Sequence, residues 1–371
     1  MSLVVCGCER VSVYEPNHVH LVDVSPDGKY LATLSLAGRI DVWDLDSKSL
    51  LLSLSHQESD GFNGDGFSAV AFRGTRGELL SECKPGFICS LDLETGVQAE
   101  LFRFADASDR ARLLLASRDG SRVVVGTVRG MLAKFDATRG KFDVLKPTDI
   151  WTGLGKHPWP MFLLEGTPDL SVFSSASENG VAAASEESSG TVDADGFVEV
   201  NGHRAARWRG VVLWKSQHDS GHVLTTDIGY RVRGDFRPDG RELALCEEGG
   251  PWIVVNTDDL TLSRDMSLDR ASIPSCYGMR YLDPSGDFLG ITGGREARLW
   301  LARRGAQGGH WEDAGTLRLR RIPGLGPRSM TALPEKGWLF VGLMNGGVDW
   351  YAFKPAPRPR LEFLTHLAPD S

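Results

Sequence analysis

An all-β fold assembled from one repeated unit is what this sequence predicts, and three observations carry the prediction. The first is a short turn that recurs along the whole chain, each time after an apolar run: Ser25-Pro26-Asp27-Gly28, Gly74-Thr75-Arg76-Gly77, Arg118-Asp119-Gly120, Thr167-Pro168-Asp169, Arg237-Pro238-Asp239-Gly240, Asp283-Pro284-Ser285-Gly286 and Pro334-Glu335-Lys336-Gly337. The second is its period. The intervals from 25 to 74, 237 to 283 and 283 to 334 are 49, 46 and 51 residues, the length at which four-stranded propeller blades repeat. The third is the punctuation: 43 Gly and 18 Pro divide short apolar runs, and no helical period is sustained beyond a turn or two. Seven blades of ~45 residues absorb most of the chain, so the 371 residues form a single seven-bladed β-propeller rather than two or three domains.

Taken in order, the blades are expected at 18–56, 67–104, 110–148, 159–226, 229–268, 275–321 and 328–353. The first is written most clearly, from His18-Val-His20 through the turn at Ser25 to Tyr30-Leu-Ala-Thr-Leu34 and Arg39-Ile-Asp-Val-Trp43-Asp44. Closure of the ring requires the ends to meet, because an open ring exposes two sheet edges. Arg10-Val-Ser-Val-Tyr14 alternates polar and apolar residues and is expected to supply the outer strand of the last blade. Residues 354–371 are then a proline-rich tail or a further edge strand.

The strand pattern resembles the WD-repeat family, in which the third strand ends in an aromatic residue followed by Asp. Trp43-Asp44 is the one true pair. The position recurs as Leu91-Asp92, Phe135-Asp136, Trp214-Lys215, Val255-Asn256, Trp300-Leu301 and Tyr351-Ala352. The large residue is suited to packing between neighbouring sheets, and the Asp to turning the chain by binding its own backbone. The family's hydrogen-bonded tetrad of His, Asp, Ser or Thr and Trp is missing: blade one has Ala37 at the turn position, and no blade starts with Gly-His.

Blade four exceeds the expected repeat by ~27 residues, and the surplus lies at 176–202. That segment holds Glu178, Glu186, Glu187, Asp193, Asp195 and Glu199 with no Lys or Arg. Its composition predicts a flexible acidic insertion, with a small hairpin around Asp195-Gly196. The net charge of -8 is largely this segment's, since removing its six carboxylates leaves -2. The family topology puts the insertion between second and third strands, on the face that also carries the links between blades. The link entering blade four brings Trp151, His157 and Trp159 to that face, and loop tryptophans supply contact area at low entropic cost.

Chemical signatures are sparse. His18 and His20 alternate on a strand and His218 and His222 are four apart, but neither spacing makes a zinc site, which takes three or four ligands. Asp193-Ala-Asp195-Gly196 lacks the longer ligand series of a calcium loop, and no Gly-x-Ser-x-Gly elbow is present. Arginines thicken in the second half beside Trp208, Trp300 and Trp311. The overall acidic balance argues against nucleic acid, and alternation in Leu317-Arg318-Leu319-Arg320 fits an edge strand with one wet face. Six cysteines, at 6, 8, 83, 89, 246 and 276, have neither scaffold density nor paired spacing, which points to a reducing, cytoplasmic setting. No signal peptide or membrane span is read.

The sequence therefore predicts a non-catalytic scaffold or adaptor, a monomer or a subunit of an assembly. It implies no metal and no cofactor, and it docks a protein or peptide through Trp151, His157, Trp159, Glu186, Glu187, Asp193 and Asp195. The alternative is a lactonase-like enzyme with a small-molecule or metal site in the central channel, assembled from separate blades.

Overall fold

Short runs such as Tyr30-Leu-Ala-Thr-Leu-Ser35 and Trp338-Leu-Phe-Val-Gly-Leu343 are apolar almost throughout, which suits strands covered on both faces. The computed structural model describes residues 18–369 apart from 56–68, 76, 85, 105–109, 128–131, 137–139, 146–160, 167, 171, 178–196, 201–202, 207–210, 216–220, 225–232, 247–251, 259–261, 264–275, 294–296, 306–309, 321–325 and 357.

Six four-stranded antiparallel sheets are described with side chains, except for the outer strands of the third and fifth, which are described by pairing alone. The first holds β1 (Val19–Val24), β2 (Tyr30–Ser35), β3 (Arg39–Asp44) and β4 (Ser49–Ser55). The second holds β5 (Val70–Arg73), β6 (Glu78–Lys84), β7 (Phe87–Asp92) and β8 (Gln98–Arg103); the third holds β9 (Ala111–Ala116), β10 (Arg122–Thr127), β11 (Leu132–Asp136) and β12 (Lys141–Leu145). A further four-stranded sheet, described by strand pairing alone, holds β13 (Met161–Gly166), β14 (Val172–Ser177), β17 (Val211–Lys215) and β18 (Gly221–Leu224). The next holds β19 (Arg233–Phe236), β20 (Glu242–Cys246), β21 (Trp252–Asn256) and β22 (Leu262–Ser263). Then come β23 (Gly278–Tyr281), β24 (Phe288–Thr292), β25 (Arg298–Arg304) and β26 (Trp311–Arg318), and finally β27 (Pro327–Leu333), β28 (Trp338–Leu343), β29 (Val348–Lys354) and β30 (Arg360–Leu367). In each sheet the strands lie in chain order. The first strands touch one another in a ring, β1 to β5, β9, β13, β19, β23 and β27, and β27 returns to β1. The protein is a single all-β propeller.

The recurring turns have a common chemistry. Ser25 Oγ accepts the Tyr30 N–H at 2.8 Å and donates to Asp27 Oδ1 at 2.6 Å. Ser117 repeats this, accepting the Arg122 N–H at 3.0 Å and donating to Asp119 Oδ1 at 2.6 Å. In the sixth turn a carboxylate replaces the hydroxyl, and Asp283 Oδ1 accepts the Phe288 N–H at 2.8 Å. The closing glycine sits in the left-handed region, with φ of 68° at Gly28 and 64° at Gly337, where a side chain is strained. The Asp after the third strand acts as expected, since Asp44 Oδ1 accepts the Ser47 N–H at 2.7 Å and Asp92 Oδ1 accepts the Thr95 N–H at 2.9 Å.

Packing is between sheets, as the large third-strand residues imply. One core joins Trp43, Val19, Val22 and Leu31 of the first sheet to Phe340, Trp350, Leu333 and Leu367 of the last. Other cores join the first sheet to the second, the second to the third, and the fifth to the last through the sixth. Polar links cross the same seams. Asp23 Oδ2 accepts the Phe72 N–H and Asp235 Oδ2 accepts the Tyr281 N–H, each at 2.8 Å, so the same residue of the first strand twice reaches the next first strand. The missing tetrad leaves a trace: Trp43 Nε1 is buried and finds no acceptor among the described residues.

Three expectations are corrected. The outer position of the last sheet, expected for residues 10–14, is taken by β30, which pairs with β29 from Val348↔Leu367 to Lys354↔Arg360; residues 10–14 lie outside the described residues. The hairpin near the insertion pairs β15 (Phe197–Val200) with β16 (His203–Ala206), strands that Asn201-Gly202 separates in the sequence, rather than centring on Asp195-Gly196. Asn-Gly is the stronger two-residue hairpin signal. Four of the six cysteines are paired, Cys83 with Cys89 across β6 and β7, and Cys246 with Cys276 between the fifth and sixth sheets, with Cα–Cα distances of 5.6 and 6.1 Å, and Cys6 and Cys8 lie outside the described residues. Sequence spacing is blind to such pairs because cross-strand and cross-sheet neighbours lie at arbitrary separations.

Candidate functional site

Each first strand begins on the face that carries the links between sheets and the connections between second and third strands. On that face four first strands share an irregularity. The β1–β2 register slips between Val19 and Leu21, the β9–β10 register between Ala111 and Leu113, and the β27–β28 register between Pro327 and Ser329. The residues left out of these ladders are His20, Arg112 and Arg328. A bulge leaves one residue out of the ladder and re-aims its side chain. Phe162 occupies the same place in β13, where the register slips between Met161 and Leu163.

His20 on β1 lies in the electrostatic field of Arg112 on β9 and Arg233 on β19, although β1 is flanked in the ring by β5 and β27. Only the central space connects those strands. Burial, and then Arg233, Arg112 and His18, bring the His20 pKa down to about 3. Burial and then Arg328 bring His18 down to about 4. Both imidazoles are therefore neutral at physiological pH. Arg280 reaches from β23 to the Gly234 carbonyl at 2.6 Å, beside Arg233. The Arg328 guanidinium lies over the Tyr277 ring, 5.1 Å from its centroid, with its Nε buried and no acceptor found among the described residues. His20, Arg112, Arg233, Arg280 and Arg328 are all half-buried.

Metal chemistry finds no footing among the described residues, where no group of three or more His, Cys, Asp and Glu side chains is placed to hold an ion. The arginines of the sixth and last sheets serve the fold. Arg304 pairs with Glu242 and stacks over Trp311 at 4.8 Å, Arg303 pairs with Glu312 at 2.9 Å, and Arg320 with Asp349 at 3.0 Å. Those pairings engage Arg303, Arg304 and Arg320, while Trp208 lies outside the described residues.

Trp151, His157, Trp159, Glu186, Glu187, Asp193 and Asp195 lie outside the described residues, as do Trp208 and His218. The mouth cluster was legible only in part. His18 and His20 stood out in the sequence, whereas Arg112 and Arg328 carried one signal, a basic residue inside a short strand.

No family model matches the chain, and no curated protein matches it in sequence. Among solved structures it is similar to the β-propeller domain of Cps50 (Swd1) from Myceliophteria thermophila. The TM-score is 0.58 at 13% identity, and the match covers 91% of this chain and 96% of that one. At this identity the likeness shows the fold. No described helix is long and apolar enough to cross a membrane.

Proposed function

We propose that the chain is a seven-bladed propeller of the WD-repeat type that works as a non-catalytic scaffold or adaptor, docking a protein or peptide within a larger assembly. The observation that carries this reading is the ring itself. Shared cores between sheets, from Val19 and Trp43 against Phe340 and Trp350 onward, hold the connections of many blades around one face as a fixed frame. Rigid scaffolds that present short loops in this way are suited to recognition. Similarity in fold to the propeller domain of Cps50 (Swd1) accords with it, although a fold alone does not select a function.

In this reading Trp151, His157 and Trp159 anchor the partner from the link that enters the fourth sheet. Glu186, Glu187, Asp193 and Asp195 present an acidic segment beside them, between β14 and β17. The test is affinity capture from native extract with three baits: the full chain, a chain lacking residues 178–201, and Trp159→Ala. A partner held by the full chain and weakened at least tenfold in either variant supports the proposal. A partner retained equally by all three moves recognition elsewhere, and a metabolite turned over by the purified chain replaces the scaffold reading with an enzyme.

A further inference from the structure

We propose that the Cys83–Cys89 bond is a reversible thiol–disulfide site, opened and closed by exchange with a small thiol of the glutathione class, on the face that carries the connections between second and third strands. The inference goes beyond the scaffold reading and does not depend on it.

The two disulfides differ in reach. Cys246 and Cys276 are 2% and 3% exposed and belong to the core between the fifth and sixth sheets, together with Trp252, Met279 and Tyr281. Their separation of 30 residues makes that bond a staple across two sheets, and a longer loop constrains the unfolded chain more than a short one. Cys83 is placed differently. The β6–β7 register slips between Glu82 and Lys84, so Cys83 is left out of the ladder, half-buried, near the end of β6. Its partner Cys89 is 6% exposed on β7, six residues further on, at a Cα–Cα distance of 5.6 Å that a disulfide spans without backbone movement. One sulfur of this pair is reachable and the other is sheltered.

The hairpin is held without the bond. Its ladder runs unbroken from Glu78↔Asp92 to Glu82↔Ile88. Beyond that, Glu82 Oε1 accepts the Gly86 N–H at 2.9 Å, and the Gly86 carbonyl accepts the Phe104 N–H at 2.8 Å. A short loop closed by these hydrogen bonds gains little from a cross-link, so the blade stays folded in both redox states. Reachable disulfides are the ones that exchange with external thiols, whereas buried structural ones resist them.

The exchange balances without any other reactant. A thiolate attacks Cys83 Sγ, the bond to Cys89 breaks, and the electron pair leaves on Cys89 Sγ, which takes up a proton. A second thiolate then displaces Cys83 from the mixed disulfide, and Cys83 Sγ takes up a proton in turn. The protein gains two electrons and two protons, and two small thiols leave as one disulfide. Closure is the reverse, with that small disulfide as the oxidant.

The test is equilibration of the full chain in graded mixtures of reduced and oxidised glutathione, followed by acid quenching, differential alkylation and peptide mapping. Cys83 and Cys89 are expected to pass together between linked and alkylated forms and to return on reoxidation, with the tryptophan fluorescence of the folded chain retained. Opening Cys246–Cys276 is expected to need at least tenfold more reduced glutathione. Cys89→Ser, which keeps the reachable sulfur, is expected to take up glutathione at Cys83 at least tenfold faster than Cys83→Ser does at Cys89, because access limits exchange. The titration uses the unaltered chain, so it decides even where a variant misfolds. Three results overturn the proposal: both thiols staying free in excess oxidised glutathione, a bond that opens only on unfolding or together with Cys246–Cys276, or Cys83 linked to Cys6 or Cys8 instead.

Discussion

Asp349 offers the sharpest perturbation of the last sheet. It is 1% exposed on β29 and faces His366 on β30 as a directly paired residue, with Nδ1 2.7 Å from Oδ1. Arg320 approaches the same oxygen at 3.0 Å and the Tyr351 hydroxyl donates to Oδ2 at 3.1 Å. Removing one member of a buried, hydrogen-bonded charge cluster costs about 3–5 kcal/mol. The side chains of Arg320 and His366 are 36% and 22% exposed and regain some water, which puts Asp349→Ala at the lower end, about 3 kcal/mol. Asp349→Asn keeps one carbonyl acceptor and loses about half of that. Urea unfolding followed by tryptophan fluorescence reads the change locally, because Trp338 and Trp350 pack edge to face at 4.7 Å in the same sheet. A loss under about 0.5 kcal/mol, the ordinary scatter of surface substitutions, refutes the cluster and with it the seating of β30 against β29.

Four further outcomes are expected. Gly28→Ala lowers stability by about 1–2 kcal/mol in thermal or urea unfolding, since φ is 68° and a Cβ meets the buried Leu333 Cδ2 at 2.6 Å; an unchanged midpoint contradicts this turn geometry. Phe340→Ala costs about 3–5 kcal/mol, because Phe340 is fully buried and stacks on Trp350 at 5.4 Å between the first and last sheets. Stability falls as pH drops from about 6.5 toward 4: the pKa values of His18 and His20 are lowered to about 4 and 3 in the fold, so the unfolded chain takes up protons the folded one refuses. His20→Gln flattens that slope, and an identical slope in the variant sinks the assignment. Peptide mapping without reductant yields a Cys246–Cys276 cross-linked peptide, whereas full alkylation of both thiols in the unreduced protein contradicts the pairing.

What could be read from residues alone divides along a physical line. The turns were legible because Ser25, Asp27 and Gly28 act within a few residues of one another, and the backbone hydrogen bonds they make are local. The large third-strand residues were legible as inter-sheet packing for the same reason. The outer strand of the last sheet was not. Arg10–Tyr14 shows clean alternation, whereas Arg360–Leu367 follows three prolines and leaves Phe363 and Leu364 45% and 39% exposed, so its pattern resembles a tail. Asn201-Gly202 was overlooked in favour of Asp195-Gly196 because both read as turns and only strand pairing decides between them. The channel cluster depends on register: Arg112 and Arg328 are unremarkable in sequence, and the one-residue slip that frees them is invisible until β10 and β28 are paired with their neighbours.

The most direct test of the account is hydrogen exchange of the purified chain, free and in complex with its captured partner. The scaffold reading predicts added protection at the starts of β1, β9, β19 and β27 and in the connections between second and third strands, with the turns at Ser25, Ser117 and Asp283 unchanged. Protection confined to those turns, on the opposite face, or a complex that leaves both faces unprotected, contradicts it.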